Sequence, residues 1–260
     1  PRRNSFWLFW CAAMAGNLGL VLAQDAASFY VFFALMSFAA YGLVVHSRTP
    51  EALHAGRVYL ALVVRDLKRI LARSMVSAVG TLTLLIGLPS PGAALAVVAF
   101  LFAHALYKAP LFMVAGNIDH ATGTRNIDHL MGLRRSMPLT ATAAVLAGLS
   151  MAGLPLSFGF VAKDVIAVAK AEAEVLMLVS YATVFVNAIA VAVAGVAAVR
   201  VFWGPPEAPR GEVHEVSWRM FVPPLAIVLL GIEFDFFPAV ADPLLLAAAR
   251  SISPQLGVVE

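Results

Sequence analysis

Apolar residues dominate the chain in long runs, and polar residues gather in the short connections between them. Uncharged runs such as 26–45 and 175–199 reach the roughly 20 residues that a helix needs to cross the hydrocarbon of a bilayer. These runs must be helical, because lipid offers no hydrogen-bond partner to an open backbone. We therefore predict an all-α fold, a polytopic transmembrane helix bundle of about seven crossings. The predicted crossings cover residues 5–22, 26–46, 74–89, 93–116, 138–154, 157–199 and 219–237.

The crossing over 157–199 is predicted to be a discontinuous helix. Pro155 and Gly159 interrupt the apolar pattern before Lys163, and the polar segment 171–174 interrupts it again. Proline and glycine are the residues that most often break a helix, and broken helices line the substrate paths of many membrane transporters.

Residues 51–73 do not fit a crossing. Their apolar run, 55–64, is too short to span a bilayer, and residues 65–73 are basic and amphipathic. We predict an interfacial amphipathic helix here. A segment deleted near 63–65 is the competing explanation.

Composition excludes a soluble domain, because 61% of the residues are hydrophobic, 13% are charged and the mean hydropathy is +0.87. The charge distribution indicates an orientation, since 14 of the 18 Lys and Arg residues lie near the N-terminus and in three connections on one predicted side. By the positive-inside rule that side, with the N-terminus, is cytoplasmic. A signal peptide is the alternative interpretation of the first 23 residues.

Lys163 and Asp164 lie within the apolar segment 159–166. A charge in hydrocarbon is costly, so such residues usually face a protein interior or a water-filled path. Apolar surroundings favour loss of a lysine's proton and a nearby carboxylate opposes it, so a lysine between these influences can load and release a proton. The alternative is a lysine near a helix start that extends its head group to the interface.

His104 and Lys108 are four residues apart and therefore share a helix face inside the crossing 93–116. Lys108 lies about 12 Å from the cytoplasmic end of that helix, farther than its side chain can reach. Imidazole titrates near pH 6.5, so His104 suits proton exchange with an ammonium group. A packed, hydrogen-bonded core histidine is the alternative.

The tetrapeptide Asn-Ile-Asp-His occurs twice, at 117–120 and at 126–129. Such residues could hold a metal, but Asn and Asp more often cap helices, and the spacing is not that of a compact ligand set. The sequence contains no Gly-rich phosphate loop, nucleophile elbow or Cys pair, and Cys11 is its single cysteine. We expect no metal, no cofactor, no nucleic-acid partner and no catalytic residue, so the chain is not expected to be an enzyme by itself.

Four segments carry a family resemblance: Asp66–Ala72, His104–Met113, Asp119–Arg125 and Ser150–Asp164. They resemble the antiporter-like proton-pumping subunits of respiratory complex I, the group 4 membrane-bound hydrogenases and the Mrp-type sodium/proton antiporters. The resemblance implies proton translocation along buried Lys, His and Glu residues, coupled to redox chemistry or cation exchange in neighbouring subunits. It assigns Lys163 to the lysine of the second repeat's broken helix, Lys108 and His104 to the adjacent helix, and Asp164 to an acidic position of some members.

The chain also departs from this family. Ala34 stands where the family has a glutamate, and Val64 passes directly to the Asp-Leu-Lys-Arg segment, so three helices and a lysine of the first repeat are absent. Pro110 replaces a helix-compatible residue and is expected to kink the helix after Lys108. We predict a first-repeat remnant over 1–64, a second-repeat proton-channel-like module over 65–203, and a C-terminal helix and tail over 204–260.

Three functions follow from the residues and the resemblance. The first is a proton-translocating subunit of a redox-driven complex of the hydrogenase or NADH dehydrogenase type, with Lys163, Lys108, His104 and Asp164 as the proton path. The second is a structural subunit that carries no protons. The third is an Mrp-type monovalent cation/proton antiporter subunit. Each predicts a bacterial inner-membrane protein whose partners are other membrane subunits, the lipid bilayer, protons and, for the third, sodium ions.

Overall fold

A computed structural model of the chain describes residues 2–22, 39, 65–173, 177–204 and 213–252. Contacts divide the chain into two units, 1–64 and 65–260, which are described separately. The described residues form helices and one isolated bridge between Asp66 and Asn126, with no strand among them. The predicted crossing at 26–46, the position of Ala34 and the part of the interfacial helix before residue 65 lie outside the described residues.

In the first unit, helix α1 spans Arg2–Leu22 and covers the first predicted crossing, although its apolar part, Phe6–Ala15, is shorter than a membrane span. Its indole rings are exposed, with Trp7 53% and Trp10 44% accessible, and the ring of Phe6 stacks on Trp10.

The second unit is a bundle of helices. Its elements are α2 (Leu67–Ile86), α3 (Ala93–Thr122), α4 (Pro138–Ala152), α5 (Phe158–Glu172), α6 (Met177–Gly195), a π-helical turn (Val196–Arg200), α7 (Val201–Trp203), α8 (Trp218–Phe236) and α9 (Pro238–Ile252). By length and composition, three described segments can cross a membrane: α2, α3 and Val179–Trp203. The pair α8 and α9, which bends by 91°, is a fourth candidate. The predicted all-α membrane bundle is therefore confirmed.

Helix α3 is the centre of the bundle and packs against α2, α4, α5, α8 and α9. Its 30 residues correspond to about 45 Å of helix. Alanines such as Ala96, Ala99 and Ala103 are buried along it, and small side chains of this kind let neighbouring helices approach closely in a membrane. The helix continues through Pro110 as one element, so the predicted kink does not interrupt it.

The two ends of α3 define the two ends of the bundle. Near its C-terminus, the Asp119 carboxylate contacts the Lys68 ammonium and the Arg125 guanidinium, each at 2.8 Å. At its N-terminus, the backbone N–H of Gly92 donates to Glu172 over 3.2 Å. We call these the basic end and the Glu172 end.

Helices α4 and α5 follow one another along α3 as one discontinuous crossing. The backbone N–H of Arg134, just before α4, bonds to Phe202 at the basic end, whereas Glu172, the last residue of α5, lies beside Gly92. Between them, the ring of Phe158 meets that of Phe102, inside α3, with centroids 5.4 Å apart. The break therefore lies at 153–157, in the middle of the bundle.

This placement corrects the predicted boundaries of two crossings. The sequence separates 138–154 from a broken crossing over 157–199, whereas the contacts join 138–172 and leave 177–203 as a separate helical run. The break itself has a local cause, since Gly153 ends α4 at φ 73° and Leu156 has φ 68°. Helix α6 follows this end of α5 and packs against α4 and α2 as it returns to the basic end. The predicted and the observed division of residues 138–203 each give two crossings. The basic connections before and after this region therefore remain on the same side of the membrane.

Helix α2 also corrects a boundary. Asp66 caps it by accepting a hydrogen bond from the backbone N–H of Arg69 over 3.0 Å. The basic residues up to Arg73 are thus the first turns of the same helix that continues to Ile86. They do not belong to a separate interfacial helix that ends before residue 74.

Candidate functional site

A cavity of about 170 Å³ lies between α2, α3, α5 and α6. It brings together His104, Lys108 and Lys163, three of the four residues predicted for proton translocation. Three of the chain's four lysines line it, and no carboxylate of the described residues does. Its polar lining residues are Ser74, Ser77, Thr81, His104, Tyr107, Lys108, Lys163, Lys170, Thr183 and Asn187.

Lys108 is the most deeply buried of the cavity lysines, with 4% of its surface exposed. Its ammonium donates to the Ser74 hydroxyl and to the backbone carbonyl of Leu71, 3.4 Å away, both on α2. A buried ammonium needs such acceptors, because apolar surroundings do not replace its lost hydration. The two contacts hold Lys108 at the wall between α2 and α3.

His104 lies one helical turn from Lys108 on the same face of α3. Its Nδ1 is 3.1 Å from the hydroxyl of Tyr107, which is itself buried. The imidazole ring also packs beside Phe100, with centroids 5.9 Å apart. The histidine is therefore both packed and turned towards the cavity, so the two sequence interpretations of this residue are compatible.

Lys163 occupies the gap left by the break between α4 and α5. Its ammonium donates to the carbonyl of Ala152 over 2.6 Å, an oxygen at the C-terminus of α4. Such terminal carbonyls carry partial negative charge and favour a cation. Gly153 leaves the space for the lysine, because a Cβ at that position would lie 2.7 Å from Nζ.

Asp164 does not share this cavity. It is exposed on α5, and it is absent from the cavity wall. Adjacent residues on an α-helix point about 100° apart, which turns Asp164 away when Lys163 faces inward. The geometry therefore separates Asp164 from the other predicted residues, and its role in proton movement stays a prediction.

Lys170 also lines the cavity, although it is not among the predicted site residues; the sequence pattern places it directly before the polar interruption at 171–174. The structure places it on α5, where its ammonium donates to the Thr183 hydroxyl over 3.1 Å. A signal was present in the sequence: residues seven apart lie almost on one line along a helix, so Lys170 shares the face of Lys163.

The repeated Asn-Ile-Asp-His segments form the polar network of the basic end. Asp119 pairs with Lys68 and Arg125, as described above. Asp128 pairs with Arg65 over 3.1 Å and with Arg200 over 3.0 Å. Both aspartates thus join separate connections through ion pairs.

Comparison with known proteins identifies the family. Residues 57–190 match the family described as "NADH:quinone oxidoreductase/Mrp antiporter, TM". Over 187 residues the chain is 40% identical to a Rhizobium meliloti protein named as a probable K(+)/H(+) antiporter subunit, and the alignment covers 70% of this chain and 19% of that protein. Over 201 residues it is 36% identical to an Na(+)/H(+) antiporter subunit of Alkalihalophilus pseudofirmus, covering 67% of this chain and 25% of the relative.

Solved structures agree with this placement. A chain of the Mrp complex from Dietzia is 28% identical with a TM-score of 0.60, and the match covers 89% of this chain and 31% of that one. A chain of respiratory complex I from Thermus thermophilus has a TM-score of 0.56 at 22% identity, covering 97% of this chain and 59% of the other, and so shares the fold. The chain spans about a fifth to a quarter of the curated relatives it matches. The resemblance predicted from the sequence is confirmed: this integral membrane chain belongs to the NADH:quinone oxidoreductase/Mrp antiporter transmembrane family.

Proposed function

We propose that the chain is a proton-translocating module of a membrane-bound antiporter subunit, with Lys163, Lys108 and His104 as its proton-carrying residues. The observation that carries this proposal is the shared cavity: all three titratable side chains line it, between four helices. Ionisable residues inside membrane proteins are rare and usually belong to ion paths or proton relays.

The cavity has the size that a relay through water requires. About 15 Å³ of such space is enough for one water molecule, so about 170 Å³ accommodates several. The hydroxyls of Ser74 and Thr81 donate their protons to backbone carbonyls of α2, so their oxygens can accept hydrogen bonds from these waters and orient them. A proton can then pass between Lys108 and Lys163 without contact between the two side chains.

The chemistry of the wall favours protons over metal cations. Sodium and potassium sites in transporters use carboxylates or unwound backbone carbonyls. This cavity offers three lysines and no described carboxylate, so a bound metal cation would be repelled. If the full protein exchanges a monovalent cation, that cation takes a route outside this cavity.

Among possible parent assemblies, we favour an Mrp-type cation/proton antiporter. The relatives at 40% and 36% identity are named as antiporter subunits, whereas the complex I chain is matched at 22% identity, a level that supports the fold alone. We further propose that the protein lies in a bacterial inner membrane, that its partners are other membrane subunits, and that the basic end faces the cytoplasm. The alternative of a redox-driven complex differs in partners and keeps the same proton path.

The proposal is tested by replacing Lys163 with methionine, which keeps the length and removes the charge. The full-length antiporter is assayed in everted membrane vesicles by the change in a pH-sensitive dye on addition of NaCl or KCl. Lys163→Met is expected to lower proton transport at least 10-fold, whereas Lys68→Met, the one lysine outside the cavity, should retain most of it.

A structural subunit without proton transport is the competing function. Under that alternative, Lys163→Met and Lys108→Met would both transport protons normally while the assembled complex remains intact on a native gel. That result would overturn the proposed function.

A further inference from the structure

Lys170 is a half-buried lysine that the proton path described above does not use. It follows Lys163 by seven residues on α5, which corresponds to two helical turns and about 10.5 Å along the axis. Both side chains line the same cavity. Lys170 thus continues the row of cavity lysines in the direction of the Glu172 end.

The position of Lys170 in the bundle is close to the end of α5. Glu172 is the last residue of that helix, is exposed, and accepts a hydrogen bond from the backbone N–H of Gly92 at the start of α3. Lys108, by contrast, is 4% exposed. The cavity therefore leads from the deeply buried Lys108 to Lys170, which precedes the exposed Glu172 by two residues.

The Thr183 hydroxyl orients Lys170. It donates its own proton to the carbonyl of Ser180 over 2.8 Å, which leaves its oxygen lone pairs directed to the lysine. It then accepts from the Lys170 ammonium over 3.1 Å. An ammonium has three donors, so the remaining two are available to water in the cavity or at its mouth.

The described residues that line the cavity around Lys170 include bases and uncharged polar groups, and no carboxylate. His104 and Lys108 face the cavity from α3, Lys163 faces it from α5, and α6 contributes the uncharged Thr183 and Asn187. Among the described residues, no ion pair involves Lys170.

We propose that Lys170 is the terminal proton station of this module, exchanging protons between the cavity and the aqueous phase at the Glu172 end. In one direction, the Lys163 ammonium releases a proton through water, the neutral Lys170 amine takes it up, and the resulting ammonium releases it to the aqueous phase. This inference rests on the proposed function and adds the side of the membrane to which the cavity connects.

The first test compares three variants of the full-length antiporter in reconstituted vesicles. Lys170→Met is expected to lower proton transport about 10-fold or more, and Lys170→Arg to fail to restore it, since guanidinium does not release its proton near neutral pH. Lys68→Met is the matched control and should keep transport. Full activity of Lys170→Met beside an inactive Lys163→Met would overturn the role of Lys170 and leave the proposed function standing. Full activity of both would remove the proposed function itself.

The second test separates proton transfer from a need for positive charge. Lys170→Cys is made in a protein without other cysteines, with Cys11 replaced by serine, and is labelled before reconstitution. An aminoethyl methanethiosulfonate adds an ammonium with exchangeable protons, whereas the trimethylammonium reagent adds a fixed charge without them. We expect the aminoethyl group to restore at least a third of the transport and the trimethylammonium group to restore none, with labelling measured by mass spectrometry. Restoration by both reagents, or by neither after complete labelling, would overturn the proposal.

Discussion

Gly159→Ala tests the close approach of α5 to α4 at the helix break. Gly159 is buried in the first turn of α5, and a Cβ built on it would overlap the backbone carbonyl oxygen of Ser150 and lie 2.8 Å from that carbonyl carbon. The obstructing atoms belong to the backbone of α4, so a side-chain rotation cannot relieve the clash. One of the two helices must move.

The expected destabilisation follows from this geometry. Adding a methyl group to a packed interior usually lowers the free energy of unfolding by about 1–3 kcal/mol, and a backbone neighbour places this case at about 3 kcal/mol. Gly116→Ala is the matched control, because a Cβ there has nothing within 4 Å. Replacing glycine by alanine inside a helix normally raises stability by up to about 1 kcal/mol. The two variants should therefore differ by about 4 kcal/mol.

The measurement is a denaturant titration of the detergent-solubilised protein, followed by proton transport of the same variants in vesicles. Gly159→Ala should also reduce transport, since Lys163 lies one turn further along α5 and its bond to Ala152 depends on the same spacing. If Gly159→Ala unfolds at the same denaturant concentration as Gly116→Ala, the described packing of α5 on α4 is wrong.

Three further variants test contacts nearer the basic end. Gly123→Ala places a Cβ at φ 70°, in the left-handed region, and should lower the free energy of unfolding by about 1–2 kcal/mol in the same titration. Asp119→Asn weakens the pair with Lys68, whose side chain is 33% exposed, so the loss should be under about 1 kcal/mol and shrink in high salt; a larger, salt-independent loss would contradict this. Glu215→Gln weakens the cap of α4, where Glu215 accepts from the backbone N–H groups of Leu139 over 2.8 Å and Thr140 over 3.2 Å, and should lower stability by about 1 kcal/mol. No change in the denaturation midpoint of Glu215→Gln would exclude the cap.

The helix break shows how far a sequence pattern can be taken. Pro155 and Gly159 predict an interruption of the helix, and the structure has a break at 153–157. The pattern also shows a second interruption at 171–174, and nothing local distinguishes a break inside a crossing from a connection between two crossings. Contacts with α3, such as that of Phe158 with Phe102, make the distinction.

Some relations among the cavity residues follow from helical spacing, and others arise only from the packing of helices. Helical spacing alone places His104 with Lys108 on one face, and it favours Lys170 over Asp164 as the companion of Lys163. It does not reveal that these two faces, on α3 and α5, meet in one cavity. Ser74 was not predicted at all, since a serine on α2 becomes a lysine acceptor only through the packing of α2 on α3.

The sequence by itself determined that the chain is helical and lies in a membrane, and its motifs indicated the family. These properties depend on local composition, because a run of apolar residues has to close its own backbone hydrogen bonds wherever it meets lipid. The tertiary structure decided which helices form one crossing and which lysines share a cavity. Those relations depend on contacts between residues far apart in the chain, such as Lys108 with Ser74, and no local pattern encodes them.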